Sequence, residues 1–141
     1  MKKIVLSANS SWYLYNFRKS TIIKLLSQGY IVICLASDSE YKQDLEDLGV
    51  IFAKFYLDST GTNIFKDLYA IYSLFKILRK FNPSIVLSFT PKVTIYTSLV
   101  CKILKIPSII NVSGLGMGSV SKGLKRIAYR FLYWIASKAA S

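Results

Sequence analysis

Asn82-Pro83-Ser84-Ile85-Val86-Leu87-Ser88-Phe89-Thr90-Pro91-Lys92-Val93 is the stretch that decides the fold. Pro83 ends the helix before it, since its ring clashes with the preceding turn and it has no N–H to donate. Ile85 to Ser88 is a short apolar run between turn residues and reads as a strand. Thr90-Pro91 opens a helix, a capping hydroxyl followed by proline at the first helical position. Helix, apolar strand and helix in immediate succession imply a parallel sheet covered on both faces.

The same alternation extends in both directions. Upstream, Ile64, Leu68, Ile71, Phe75 and Leu78 recur at helical spacing behind Asn63, a suitable N-cap. Asp58 to Asn63 is rich in turn residues, and Val50 to Phe55 reads as a strand. Ser37 and Glu40 have capping-box spacing and predict a helix ending at Gly49. Ile31 to Ala36 is another strand, Phe17 to Gln28 a helix closed by Gly29, and Lys3 to Ser7 the first strand. Downstream, the helix opened by Thr90-Pro91 runs to about Lys105, and Ile109 to Val112 is the fifth strand. A glycine turn follows, Gly114-Leu115-Gly116-Met117-Gly118, and a last helix starts near Lys122. The expectation is α/β: one doubly wound, Rossmann-like parallel sheet over residues 1–141. With strand order 3-2-1-4-5, the loops Ala8 to Asn16 and Phe89 to Lys92 flank the crevice where such sheets bind ligands. The glycine turn lies beside them.

Charge is distributed unevenly. The net charge is +12, all seven acids lie between Asp38 and Asp67, and from Leu68 onward there are eleven Lys and Arg. That asymmetry favours an anionic partner: a phosphorylated substrate, anionic lipid or nucleic acid. Nucleic acid is disfavoured because no recognisable nucleic-acid motif is present. No apolar run approaches the roughly 20 residues of a spanning helix. The opening Met1-Lys2-Lys3 and Ile4-Val5-Leu6 imitates a signal peptide, but its apolar part is too short. A cytoplasmic location is therefore expected. Cys34 and Cys101 sit in apolar segments and read as core residues.

Several chemistries lack support. No G-x-G-x-x-G follows the first strand, and no G-x-x-x-x-G-K-[ST] occurs. Histidine is absent from the chain, which removes the commonest general base and metal ligand. No acid pair falls in the crevice loops, and no metal or cofactor site is expected. What remains is a binding surface. Asn9, Ser10, Tyr13 and Asn16 lie in the first loop, and Trp12 and Tyr13 could pack in the core or stack on a ligand. Lys92 occupies the first turn of a helix, where the dipole already favours an anion. Gly114 and Gly116 would let backbone amides approach a diphosphate.

Ser10-Ser11-Trp12-Tyr13-Leu14-Tyr15-Asn16-Phe17-Arg18 resembles the opening motif of the family 4 glycosyltransferases of the GT-B fold. Thr90-Pro91-Lys92-Val93-Thr94-Ile95-Tyr96 is similar to the threonine, proline and lysine motif of members that extend undecaprenyl-diphosphate-linked sugars. Val112-Ser113-Gly114-Leu115-Gly116 resembles their glycine turn, and Gly29 to Gly49 and Asn82 to Val86 match as well. The resemblance spans essentially the entire chain. It implies a retaining enzyme of two Rossmann-like halves, the amino-terminal half holding the acceptor and the other holding the nucleotide sugar. The latter half uses two glutamates eight positions apart, and no Glu occurs after Glu46. This chain is thus expected to be an acceptor-side domain, inactive alone. A non-catalytic acceptor subunit of a split enzyme is the alternative.

Carried onto this sequence, the resemblance implies acceptor contacts from Asn9, Ser10, Tyr13, Asn16 and Lys92. Ser113, Gly114, Leu115 and Gly116 would face the cleft and the donor diphosphate. Many relatives have histidine where Ser113 stands, though members of the lipid-linked group also lack it. A lipid-linked acceptor stays in the membrane, so the enzyme must dock on its inner surface. Lys122, Lys125, Arg126, Arg130 and Trp134 of the last helix are expected to face an anionic bilayer.

Overall fold

The computed structural model describes residues 1–58, 61–111, and Arg130, Trp134 and Lys138. Among the described residues up to Asn111, five strands, β1 (Lys3–Ser7), β2 (Ile31–Ala36), β3 (Ile51–Lys54), β4 (Ile85–Ser88) and β5 (Ser108–Ile110), alternate with four helices. These are α1 (Ser11–Ser27), α2 (Lys42–Asp47), α3 (Ile64–Phe81) and α4 (Pro91–Leu104). The sheet order is β3-β2-β1-β4-β5 with every pairing parallel, as the sequence predicts. Val5 pairs with Ile33 on one side and Val86 on the other.

Side chains alternate between two apolar layers because the strand period is two. Val5, Ile33, Leu35 and Val86 enter one layer with Leu74 and Leu78 of α3 and Val93, Tyr96 and Val100 of α4. Ile4, Leu6, Val32 and Cys34 enter the other with Leu14 and Ile22 of α1 and Leu45 of α2. The chain therefore winds one way through α1 and α2, then crosses to the opposite face through α3. The reversal falls between β1 and β4, which fixes the crevice at their carboxyl ends. Both cysteines are buried free thiols in these layers, and burial pushes each up to about 12.

Three local expectations are corrected. The first helix begins at Ser11, six residues before Phe17, because Ser10 takes extended geometry and its Oγ accepts from the Tyr13 amide at 3.2 Å. Ser37 and Glu40 do not form a capping box. Ser37 Oγ donates to the Asn9 carbonyl instead, and α2 starts only at Lys42 without a side-chain cap. In α3 the buried positions are Ala70, Leu74 and Leu78, whereas Ile64 and Leu68 are exposed. That helix is apolar nearly all round, so the stripe chosen from spacing starts on the outer face and winds inward. Asn63 does cap it, accepting from Phe65 and Lys66 amides.

Candidate functional site at the strand-order switch

The crevice is built from the ends of β1 and β4. After β1 only Ala8 to Ser10 form a connector before α1, so Tyr13 and Asn16 project from a helix instead of a loop. After β4, Phe89 and Thr90 lead into Pro91, the first residue of α4. Thr90 has φ of 69° and ψ of 138°. Positive φ is strained for a β-branched residue and costs about 1–3 kcal/mol, while its extended ψ suits a residue before proline. In this conformation Thr90 makes no side-chain cap to α4. Its Oγ1 accepts instead from the Asn9 amide at 3.1 Å, and the Phe89 amide donates to the Ser7 carbonyl at 2.9 Å. The two crevice loops are thus bonded directly across the switch point.

The two helix amino termini there differ electrostatically. That of α1 is already occupied by Asp38, which accepts from the Ser11 hydroxyl and, at 3.1 Å, from the Ser11 amide. Asp38 also accepts from the Glu40 amide at 3.2 Å, and Ser11 Oγ accepts from the Tyr41 amide at 2.9 Å. A carboxylate at a helix N-terminus satisfies both the dipole and the orphan amides, so α1 presents no open anion site. The terminus of α4 has no side-chain cap, and the first-turn amides of Lys92 and Val93 have no intrahelical acceptor.

Lys92 stands in the first turn of α4, as expected, but its ammonium is engaged. Nζ donates to the Asp58 carbonyl at 2.6 Å and the Gly61 carbonyl at 2.7 Å, and pairs with Asp67 Oδ1 at 2.9 Å. Three acceptors use all three donors of the ammonium. Lys92 therefore ties the β3–α3 connection and the start of α3 to the start of α4.

Tyr13 is partly buried, its ring 6.2 Å from Phe89 and 5.2 Å from Phe17. Trp12 is about half exposed and meets Phe17 edge-on. Asn16 lies one turn further along α1, exposed, its side-chain amide donating to the Trp12 carbonyl at 2.9 Å. Asn9 and Ser10 thus lie in the connector after β1, Tyr13 in the first turn of α1 and Asn16 a turn further on, while Lys92 lies in the first turn of α4 with its ammonium turned to the β3–α3 connection and Asp67. Ser113, Gly114, Leu115, Gly116, Lys122, Lys125 and Arg126 lie outside the described residues. Arg130, Trp134 and Lys138 are helical and exposed, with Lys138 Nζ 4.2 Å from the Trp134 ring centroid.

Two crevice residues were not picked out from spacing. Asp38 gave no signal beyond following a strand. Arg18 stood only inside a motif, yet its guanidinium carbon lies 4.2 Å from the Phe89 ring centroid and 5.6 Å from that of Tyr13. Among the described residues no group of three His, Cys, Asp or Glu comes together as a metal site.

The sequence matches the glycosyl transferase 4-like family over residues 3–141. The chain belongs to that family. Among curated proteins, none matches this sequence. Similar solved structures include MurG of Acinetobacter baumannii, at 20% identity and a TM-score of 0.60, covering 78% of this chain and 33% of that one. A glycosyltransferase of Rickettsia africae is similar at 16% identity and TM-score 0.63, covering 77% and 29%. UDP-GlcNAc 2-epimerase of Methanocaldococcus jannaschii is similar at 20% identity and TM-score 0.59, covering 100% and 38%. At these identities the likeness establishes the fold, the Rossmann-like amino-terminal domain of GT-B proteins. The chain spans about a third of the length of these structures.

In this glycosyl transferase 4-like domain, the two described crevice connectors, Ala8–Ser10 and Phe89–Thr90, carry no acid of their own. Their nearest carboxylate, Asp38, is held by Ser11 and two backbone amides. What the crevice presents is aromatic surface, the open amides of α4 and the guanidinium of Arg18.

Proposed function

We propose that this chain is the acceptor-side domain of a retaining glycosyltransferase that moves a hexose or hexosamine from a nucleotide sugar to a lipid-linked, undecaprenyl-diphosphate glycan. Such transfers build surface polysaccharides and glycoprotein glycans. The reading is supported chiefly by a crevice at the β1–β4 switch point whose described residues supply aromatic and cationic groups and, Asp38 being engaged at the start of α1, no unengaged carboxylate. Such a surface can hold a sugar diphosphate while leaving the departing nucleotide to donors from a second domain. Asn9, Ser10, Tyr13 and Asn16 are assigned to the acceptor by the family motif that contains or adjoins them. Lys92 supports that site by fixing the start of α4, and Ser113 to Gly116 are assigned to the donor side by the family motif alone. The co-substrate is a nucleotide sugar, and no cofactor or metal is invoked.

Peripheral attachment to the inner face of the plasma membrane belongs to the same proposal. No described helix is long and apolar enough to cross a membrane. The outer face of α3, however, exposes Ile64, Phe65, Leu68, Tyr69 and Tyr72 in its first half and Lys76, Arg79 and Lys80 in its last turns. Its acid, Asp67, turns inward to Lys92. Exposed aromatic and apolar groups continuous with cations match an anionic bilayer surface. Arg130 and Trp134 can add to that surface.

The test is transfer by the full-length protein from a panel of nucleotide sugars to a polyprenyl-diphosphate-linked acceptor, alongside the 141-residue chain alone. Turnover is expected for the first and none for the second. Turnover by the 141-residue chain would overturn the division of labour, and indifference of the full-length protein to the lipid diphosphate would overturn the acceptor assignment. A split enzyme, the second reading, is favoured by the same lack of a proton-transfer group. It predicts activity only when a separate donor-domain polypeptide is added.

A further inference from the structure

We infer that Arg18 is the diphosphate-recognising residue of the crevice, the part that sequence spacing gives to Lys92. The inference deepens the acceptor-domain reading and rests on it for the identity of the ligand, but the anion chemistry stands on separate observations. Arg18 lies in the second turn of α1 and is only partly exposed. Its guanidinium is flanked by Phe89, from the β4 loop, and Tyr13, from the start of α1. One N–H, from Nη2, donates to the Tyr13 hydroxyl at 2.9 Å. Nε is shut off from solvent and has no acceptor. No other hydrogen bond of Arg18 occurs among the described residues.

No carboxylate side chain neutralises this cation. All seven acids of the sequence are among the described residues, and the ion pairs seen among those residues are Lys42 with Glu46, Lys66 with Asp58 and Lys92 with Asp67, none of them with Arg18. A guanidinium has five N–H donors in a planar fork. Here one is satisfied by a neutral hydroxyl and the ring faces compensate the charge only in part. A half-buried cation with donors to spare is costly unless an anion engages it, and because Nε is closed to solvent the remaining Nη hydrogens are the ones an arriving anion can reach. Its position beside Phe89 sets it one residue from Thr90 and the uncapped amino terminus of α4. Fork geometry suits two phosphate oxygens better than a lysine ammonium does, and the stacked rings hold the fork in one plane. Lys92 lacks a spare donor, so of these two cations Arg18 is the one able to bind an anion without first breaking an ion pair.

Titration of the 141-residue chain with inorganic pyrophosphate at constant ionic strength tests this, followed by calorimetry and by the Arg18 Nε–H resonance. Saturable binding that shifts that resonance is expected. Arg18→Gln should weaken binding about tenfold or more. Arg18→Lys should recover only part of the loss because it restores charge without the fork, and Lys24→Gln, at the far end of α1, should change nothing. Farnesyl diphosphate and uridine diphosphate, run as separate arms, distinguish an acceptor-side from a donor-side diphosphate, and the tighter one names the source. An unmoved Nε–H resonance at saturation would overturn the assignment, and so would equal losses in Arg18→Gln and Lys24→Gln. Thermal melts of each variant separate lost binding from lost folding, since the wild-type resonance test needs no substitution. None of these measurements depends on sugar transfer, so an inactive full-length protein would leave the diphosphate site standing.

Discussion

Replacing Lys92 with alanine should destabilise the start of α4 and the β3–α3 connection instead of removing a ligand contact. The side chain is 14% exposed and its partner Asp67 25% exposed. Removing the ammonium takes one donor from each of two carbonyls, those of Asp58 and Gly61, and the ion partner from Asp67. Breaking a fully buried pair costs about 3–5 kcal/mol, and an exposed pair about 0–1 kcal/mol. At this burial water can reach Asp67 and at least one carbonyl once the lysine is gone, which places the loss near 2–3 kcal/mol. For a chain of this size that corresponds to a fall in Tm of roughly 10 °C.

A double-mutant cycle on Lys92 and Asp67 isolates the pair. Lys92→Ala and Asp67→Ala should each destabilise, and the double variant should lose less than their sum by about 1–2 kcal/mol. Lys42→Ala is the control, because its pair with Glu46 spans 4.0 Å on an exposed face, and it should stay within about 0.5 kcal/mol of the parent. Denaturant unfolding followed by circular dichroism measures all four. A Lys92→Ala variant as stable as Lys42→Ala would refute the reasoning. Lys92 would then be available to a ligand after all, and its part would be tested by pyrophosphate affinity alone.

Cys34 and Cys101 should resist alkylation at pH 8 in the folded protein and react at once in denaturant, because burial pushes both thiols up to about 12. The unfolded thiols ionise near pH 8.5–9, so stability from the protonated thiols is intact below that value and falls between about pH 9 and 12 as the unfolded state loses protons first. The alkaline slope of Tm should be shallower in Cys34→Ala, and an unchanged slope would contradict it. For membrane attachment, sedimentation with liposomes should require anionic lipid and weaken with salt. Changing Lys76, Arg79 and Lys80 to Gln should cost about 1 kcal/mol each, and equal recovery with neutral and anionic liposomes would exclude an electrostatic role for α3.

Strand positions and their order were legible because a parallel sheet covered on both faces leaves little choice: each strand is a short apolar run and each crossover is helical. The start of α1 was not, since Trp12, Tyr13, Tyr15 and Phe17 are mediocre helix formers and point partly to solvent, so no amphipathic period marks them. The decisive local signal was Ser10, whose capping bond is visible only once its backbone is known to be extended. Capping patterns failed where a hydroxyl found a better partner through space. Ser37 bonds to Asn9 and Thr90 to the Asn9 amide, both contacts between segments remote in sequence. Lys92 shows the same limit from the other side. Its position at a helix start was readable, but its three acceptors come from the β3–α3 connection and from α3, which sequence spacing cannot bring near it.

The uneven charge of the chain acquires a physical meaning from where its acids go. Asp38 closes the amino terminus of α1, Asp58 binds Lys66 and the Gly61 amide, and Asp67 holds Lys92. Each is used to fasten a connection on the β1–β3 side of the sheet or the start of α3. On the β4 side no acid exists to oppose the cations, because none occurs after Asp67. Among the described residues, an anion arriving at the switch point therefore meets one helix terminus already filled by Asp38 and another without a side-chain cap, with Arg18 in no ion pair beside it. Adding a carboxylate beside Arg18 tests this directly. Phe17→Asp, one residue from Arg18 on α1, is exposed and lies outside both core layers. It should weaken pyrophosphate binding several-fold by lowering the local potential, and Phe17→Asn controls for the lost ring contacts with Trp12 and Tyr13. If Phe17→Asp bound pyrophosphate as tightly as Phe17→Asn at low ionic strength, the local potential at Arg18 would have no bearing on the crevice.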